Sequence, residues 1–246
     1  MKGIKRFTSI LLISACVSLS WGGSGSVWPL ENAVVQFIEL NSHRDKEAMA
    51  IFIQQLQDQV VLQPVLYPVL CSALFRYADW GIASDADRNR TYRLAIEAGE
   101  KAVRYAPDDV MSHYAYALSC GRIAEREGGL GALDLLKKFE SHLQQVLSRD
   151  PDFYLAYYAF AMRYRDAPWP MKDEKKAEEY YRKTIRIEPN YLNAYYDLSL
   201  LLLRQNRKVE ARECLLFVIA HPAHPEWIEE SGEIRGLSEQ LLANLR

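Results

Sequence analysis

Five histidines, four cysteines and a run of tyrosines are the side chains in this sequence whose chemistry must be weighed first. His43, His113 and His142 are scattered; His221 and His224 lie together in His221-Pro222-Ala223-His224-Pro225. Two imidazoles three apart can share a metal on a helix, and zinc would need one or two further ligands. Glu226 and Glu229 are near enough in sequence to supply them. Two prolines forbid a regular helix there, so the segment reads as a solvated loop before it reads as a metal centre. Neighbouring carboxylates such as Glu178 and Glu179 precede Arg182 and Lys183 by four residues, which is the spacing of ion pairs along an exposed helix face. General acid–base work would instead require a carboxyl with a shifted pKa inside a cleft. Gly128-Gly129-Leu130-Gly131 is not followed by Gly-Lys-Ser/Thr, so it marks a helix end and a turn, not a phosphate cradle. Neither Gly-x-Ser-x-Gly nor His-Glu-x-x-His occurs. The sequence assigns no catalytic residue, no metal ligand and no cofactor, and the chain is read as a non-enzyme.

The cysteines are Cys16, Cys71, Cys120 and Cys214, with no Cys-x-x-Cys pair. The last three sit in apolar contexts and read as small buried hydrophobes. Cys16 stands apart. Lys2, Lys5 and Arg6 form a basic patch, and the apolar run Phe7 to Ile13 follows, in the order of a secretory signal. That run is short for a membrane span, which takes roughly 20 apolar residues. Ile13-Ser14-Ala15-Cys16 resembles the bacterial lipobox, in which the cysteine is lipidated and becomes the first residue. The resemblance implies a signal peptide over 1–15 and a lipidated Cys16 opening a flexible tether over 16–30, rich in Ser and Gly. An uncleaved anchor, or cleavage near Ser20 or Ser24 with release into the periplasm, fits the same residues.

Residues 153–164, Phe-Tyr-Leu-Ala-Tyr-Tyr-Ala-Phe-Ala-Met-Arg-Tyr, are richer in tyrosine than a core requires. Tyrosine joins an apolar ring to a polar tip and suits a half-wet groove. Asn193, Tyr196, Leu200 and Arg204, spaced 3, 4 and 4, share one helix face, and Tyr157 and Arg163 extend it. As a groove, these six would hold the apolar body of a ligand in tyrosine and meet a carboxylate with Arg163 or Arg204. As packing, the aromatics are core and the arginines reach past it to water.

The elements that position these residues are helical. Hydrophobic residues make up 49% and charged residues 25%, which excludes a disordered or fibrous chain. With 30 basic and 32 acidic residues there is no basic field for nucleic acid. Strand alternation and hairpin dipeptides are missing. Pro107, Pro151, Pro189 and Pro222 each end an amphipathic stretch, at intervals that leave room for two helices and a turn. Behind them, Ala95 and Ala102, then Ala177, Tyr181 and Thr184, then Ala211, Leu215 and Val218, place small and bulky residues along one helix face. Residues 225–244 read as a cap: Trp227, Ile228, Ile234, Leu237, Leu241 and Leu242 form an apolar stripe, while Glu226, Glu229, Glu230, Glu233, Arg235 and Glu239 stay wet.

The spacing of Ala177, Tyr181 and Pro189, and of Tyr195, Leu198, Ala211 and Leu215, resembles the tetratricopeptide repeat. Ser199 replaces its usual glycine, Phe139 stands where alanine is expected, and Gly99 where an aromatic is expected. The resemblance implies an all-α solenoid of antiparallel helix pairs over 31–246, with roughly ten helices. The wider order, from Ala78-Asp79 through Tyr114-Ala115-Tyr116-Ala117 to Ala167-Pro168-Trp169-Pro170 and Lys175-Lys176-Ala177, is similar to exported helical-repeat proteins related to the T component of tripartite ATP-independent periplasmic transporters. It is equally similar to the repeat domain of regulator of microtubule dynamics proteins. The first likeness implies a membrane-anchored periplasmic accessory that binds an apolar or carboxylate solute, often as an oligomer. A scaffold that binds a protein or peptide in an open groove is the other expectation.

Overall fold

Proline sets the rhythm of the fold. In the computed structural model, which describes residues 28–167 and 171–245 (backbone only at 129 and 130), helices end two residues before each of the four prolines. They close at Tyr105, Arg149, Ile187 and Ala220, and the intervening residue caps each with a backbone N–H donated to the carbonyl four residues back. After Pro107, Pro151 and Pro189 the next helix begins three residues on, at Val110, Tyr154 and Leu192. The chain therefore repeats helix, tight corner, helix.

Among the described residues there are eleven α-helices, one more than the roughly ten expected, and one short 3-10 turn at Pro64–Leu66. They are α1 (Leu30–Ser42), α2 (Lys46–Gln59), α3 (Tyr67–Trp80), α4 (Asp85–Tyr105), α5 (Val110–Glu127), α6 (Gly129–Arg149), α7 (Tyr154–Asp166), α8 (Glu174–Ile187), α9 (Leu192–Arg204), α10 (Lys208–Ala220) and α11 (Ile228–Asn244). Side-chain caps open four of them: Asp45, Ser84, Asp109 and Asp173 each accept the N–H of the residue three ahead. Gly128, at φ 62°, makes the corner between α5 and α6, a conformation glycine adopts freely. The expected helix terminator at Gly128 is thus a single-residue hinge between two long helices.

Consecutive helices pair antiparallel, and pairs stack on pairs, giving an all-α solenoid. The residues expected to pack the repeats are at the seams: Ala95, Ala102, Ala177, Tyr181, Ala211 and Leu215 are all fully buried. Two of the three departures from the repeat, Gly99 and Phe139, are compensated across a seam. At Gly99 an added Cβ would lie 2.8 Å from the ring of Tyr116, and at Gly121 it would lie 2.7 Å from the ring of Phe139. The bulk missing from one helix is supplied by its neighbour.

The signal region over 1–15, Cys16 and most of the tether lie outside the described residues. Trp28, assigned to the tether, is packed: its ring meets Phe52 edge-to-face at 5.5 Å. No described helix is long and apolar enough to cross a membrane.

Candidate functional site: the inner face and its C-terminal helix

The odd-numbered helices line the inner side of the array, and the array curls until its two ends meet. Arg76 on α3 forms an ion pair with Glu230 on α11 at 2.6 Å, and Arg44, in the turn after α1, pairs with Glu233. The stacking of helix pairs brings together residues that are 154 apart in sequence.

Arg76 is the centre of this junction. Its Nε donates to Asn41 Oδ1 at 2.9 Å, and Asn41 also accepts Trp80 Nε1–H at 3.3 Å. Asp79 stands 3.7 Å away on the same helix, and also pairs with Arg122 at 3.2 Å. The guanidinium lies 4.8 Å from the centre of the Trp227 ring, at cation–π distance. Burial alone would pull the Arg76 pKa down; Glu230 and Asp79 outweigh it and hold the guanidinium charged. Asn193 Nδ2–H donates to the same Glu230 carboxylate, so α3, α9 and α11 converge on one group.

An aromatic chain runs on from Trp227. Its indole N–H donates to Tyr154 Oη at 3.3 Å, and Tyr191 stands between, 5.2 Å from Tyr154 and 5.0 Å from Tyr158. Tyr158 Oη–H donates to Asp197 at 2.7 Å, and Asp197 pairs with Arg165 at 2.7 Å. Burial holds the Tyr114, Tyr154, Tyr158 and Tyr191 hydroxyls well above the usual phenol range, so they remain neutral donors at all ordinary pH. The inner face is therefore a filled, hydrogen-bonded surface, with α11 and Trp227 seated on it.

The six residues expected to form a groove are not brought together as one surface. Asn193 is at the junction, nearly buried, and bonded to Glu230. Tyr196 and Leu200 are half-buried and Arg204 is exposed, on the face of α9 that continues from Asn193. Tyr157 is buried away from it: its hydroxyl donates to Pro151 O at 3.0 Å, its ring stacks on Tyr180 at 6.1 Å, and Lys183 lies over it at 4.1 Å. Arg163 faces α6, 3.5 Å from Glu140. In the 153–164 run, Tyr154 and Tyr158 reach the inner face, one helical turn before and one residue after the position expected. Glu230, expected to stay wet, is half-buried in the ion pair. The apolar stripe of α11 is also redrawn: Ile228 and Leu237 are exposed, and the buried positions are Ser231 and Ser238.

Arg76 and Tyr191 were missed, and Tyr154 and Tyr158 of the tyrosine-rich run and Trp227 of the expected apolar stripe were not assigned to the site, although one signal for three corners was present. Pro151-Asp152-Phe153, Pro189-Asn190-Tyr191 and Pro225-Glu226-Trp227 each place an aromatic two residues after proline, and each aromatic is the residue just before an inner helix. Arg76 carries no such mark, because its partner lies at the other end of the chain.

The remaining chemistry is structural. Among the described residues no group of three His, Cys, Asp or Glu side chains converges as a metal site. The segment expected as a solvated loop is packed: His221 stacks on Phe217 with ring centres 3.5 Å apart, and His224 is buried. Cys71 and Cys120 are buried, and burial pushes both thiols up to about 12, far from a nucleophile's range.

The tetratricopeptide repeat model matches residues 169–191, the segment around α8. Among solved structures, two crystal structures of MamA superpose with TM-scores of 0.47 at 20% identity, one covering 80% of this chain and 94% of its own, the other 76% and 90%. A structure described as a MamA RS-1 double mutant gives the same TM-score at 15% identity, covering 77% and 94%. No curated protein matches the chain. The chain is an array of helix pairs in which residues 169–191 are similar to a tetratricopeptide repeat.

Proposed function

We propose that this protein is a non-catalytic scaffold that binds a protein or peptide partner on the inner face of its helical array. One observation carries the reading: that face already receives a helix, α11, through an ion pair, a shared amide and an aromatic anchor. A surface that fits a helix in this way is built for polypeptide recognition. The solute-carrying version, as an accessory of a periplasmic transporter, requires a chamber lined by the tyrosines. Tyr154, Tyr158 and Tyr191 instead fill that space with Trp227. Two open cavities of about 260 Å³ lie elsewhere, one between α2, α3 and α4, the other beside Tyr116 and His142. Native mass spectrometry tests the choice: the scaffold predicts the bare chain mass, shifting when a co-purified polypeptide is present, and a stoichiometric small molecule retained on the chain would overturn it.

The sequence supports attachment to a bacterial membrane, facing the periplasm, through lipid on Cys16. Acyl chains anchor by burying methylenes, each contributing about 0.8 kcal/mol. Globomycin, which blocks lipoprotein signal cleavage, is expected to accumulate the precursor, and Cys16→Ala to abolish acylation; a processed, unacylated wild-type chain would remove the anchor.

A further inference from the structure

The C-terminal helix is attached to the array differently from every helix between α2 and α10. Those helices contribute buried apolar side chains to three continuous clusters; α11 contributes none. Its two fully buried residues are serines, Gly232 and Gly236 weaken it, and Ile228 and Leu237 face water. What seats its inner side is Trp227, Glu230 and Glu233, spaced three apart, against Arg76, Arg44 and Asn193. The seat is also incompletely used: the buried Asn193 Oδ1 has no hydrogen-bond partner. Arg44 holds a left-handed backbone conformation, φ 49°, which glycine or asparagine would adopt more easily. Its side chain brings positive charge to the mouth of the seat.

α11 also enters this seat through a longer corner. The inner helices α5, α7 and α9 start three residues after Pro107, Pro151 and Pro189, and α11 keeps that spacing from Pro225, the corner that begins at Pro222 being lengthened by Ala223-His224-Pro225. The corner is tied to α11 itself, His224 N–H donating to Ser231 Oγ and Arg235 to His221 O, so the corner and the helix form one unit that follows α10.

We propose that the seat formed by Arg44, Arg76 and Asn193 is the partner-binding surface, that its ligand is an acidic helical segment of a protein with an aromatic residue followed by carboxylates three and six positions on, and that α11 occupies the seat in the free protein. This rests on the scaffold reading and specifies it. The partner segment also presents a hydrogen-bond donor to Asn193 Oδ1, which α11 leaves unbonded. Its binding displaces α11, and the exchange is governed by charge: breaking Glu230 and Glu233 away in cis opens the surface in trans.

The probe is a fluorescein-labelled synthetic peptide of residues 223–245, titrated by fluorescence anisotropy against the full chain. The double variant Glu230→Gln/Glu233→Gln is expected to bind it at least tenfold more tightly than the unaltered chain, since its own helix no longer competes. Adding Arg76→Gln is expected to remove most of that gain, and adding the peripheral Arg44→Gln instead to remove part of it. Circular dichroism shows whether each variant stays folded; Arg44→Gln, at the rim, preserves the test if Arg76→Gln does not fold. Equal affinity for the unaltered chain and the double variant, no binding to either, or a gain that survives loss of the arginines would overturn the inference. The scaffold reading fails separately: a natural partner whose binding ignores Arg76 and Arg44 sinks the seat but leaves the scaffold, and a retained small molecule sinks the scaffold whatever the peptide does.

Discussion

Helices α9 and α11 lie on the same side of the array with one helix between them, and different forces hold them. α9 buries Leu192, Ala194, Leu198, Leu201 and Leu202, the last three in one apolar cluster with Tyr181 of α8 and Ala211 of α10. Each such leucine contributes on the order of 1.5–3 kcal/mol by leaving water. α11 buries two serines and relies on the half-buried Glu230 and the exposed Glu233, each paired with an arginine. Pairs of that kind contribute little net stability once desolvation is counted, and those at the rim are typically worth about 0–1 kcal/mol. Apolar burial makes α9 permanent, while directional polar contacts make α11 specific and replaceable.

The largest effect expected from this contrast is in α9. Leu198→Ala or Leu201→Ala removes a fully buried side chain and is expected to cost about 2–5 kcal/mol of global stability. Ser238→Ala in α11, whose hydroxyl bonds only to Ile234 O within its own helix, is expected to change the same melting curve by less than about 1 kcal/mol. Comparable losses at the two positions would mean that α11 belongs to the core.

Departure from the repeat is not what loosens a helix, and α4–α6 show this. Gly99 and Phe139 depart from the repeat at least as far as anything in α11, yet Tyr116 and Phe139 fill the spaces opened by Gly99 and Gly121. Gly121→Ala is expected to cost about 1–3 kcal/mol by pressing a methyl into the Phe139 ring. Combined with Phe139→Leu it is expected to cost less than the sum of the two single changes, because the pair shares one space. Strict additivity in thermal melts would show that the two residues are not complementary.

This also separates what was legible in the sequence from what was not. Proline spacing and the small residues behind it are local signals, and they located the helices, the corners and the fully buried Ala95, Ala177 and Ala211. The compensation at Gly99 and Gly121 depends on a neighbouring helix, so each residue alone looked like a fault. The inner face was harder still. Arg76 and Glu230 are ordinary surface residues in their own helices; only the curl of the whole array makes them partners. For α11, hydrophobic periodicity chose Ile228 and Leu237 as buried, but the helix is rotated so that Trp227 and Glu230 satisfy Arg76, and the serines pack instead.

A sharper local test is the hydrogen exchange of α11 itself. Glu230→Gln weakens the ion pair with Arg76 and leaves Asp79 beside the guanidinium. Amides of residues 229–244 are expected to exchange roughly 5- to 20-fold faster, about 1–2 kcal/mol of local opening, while those of α8–α10 keep their protection. Loss of protection throughout would show that α11 and the array open together, and the comparison with α9 would fail.

The smallest effect separates the two regions by solution conditions. His113 and His142 join α5 to α6 with their Nδ1 atoms 2.8 Å apart, and His113 Nε2–H donates to Pro107 O at 2.7 Å. Burial, then His113 and Lys138, bring the His142 pKa down to about 4, whereas the unfolded chain keeps a value near 6.5. Between those values the unfolded chain binds more protons, so this contribution is complete above pH 6.5 and is lost as the pH falls toward 4. At pH 5.5 the array is expected to lose about 1 kcal/mol through His142 relative to pH 7.5, and His142→Gln to remove that share while leaving the one due to His224, whose pKa burial also lowers. Salt acts on the other region: raising ionic strength screens Arg44 and Glu233 at the rim and is expected to speed exchange in α11 at pH 7.5 without moving the global melting point by more than a degree or two. If salt melted α5–α6 before it sped exchange in α11, the two regions would not be held by the different forces assigned to them.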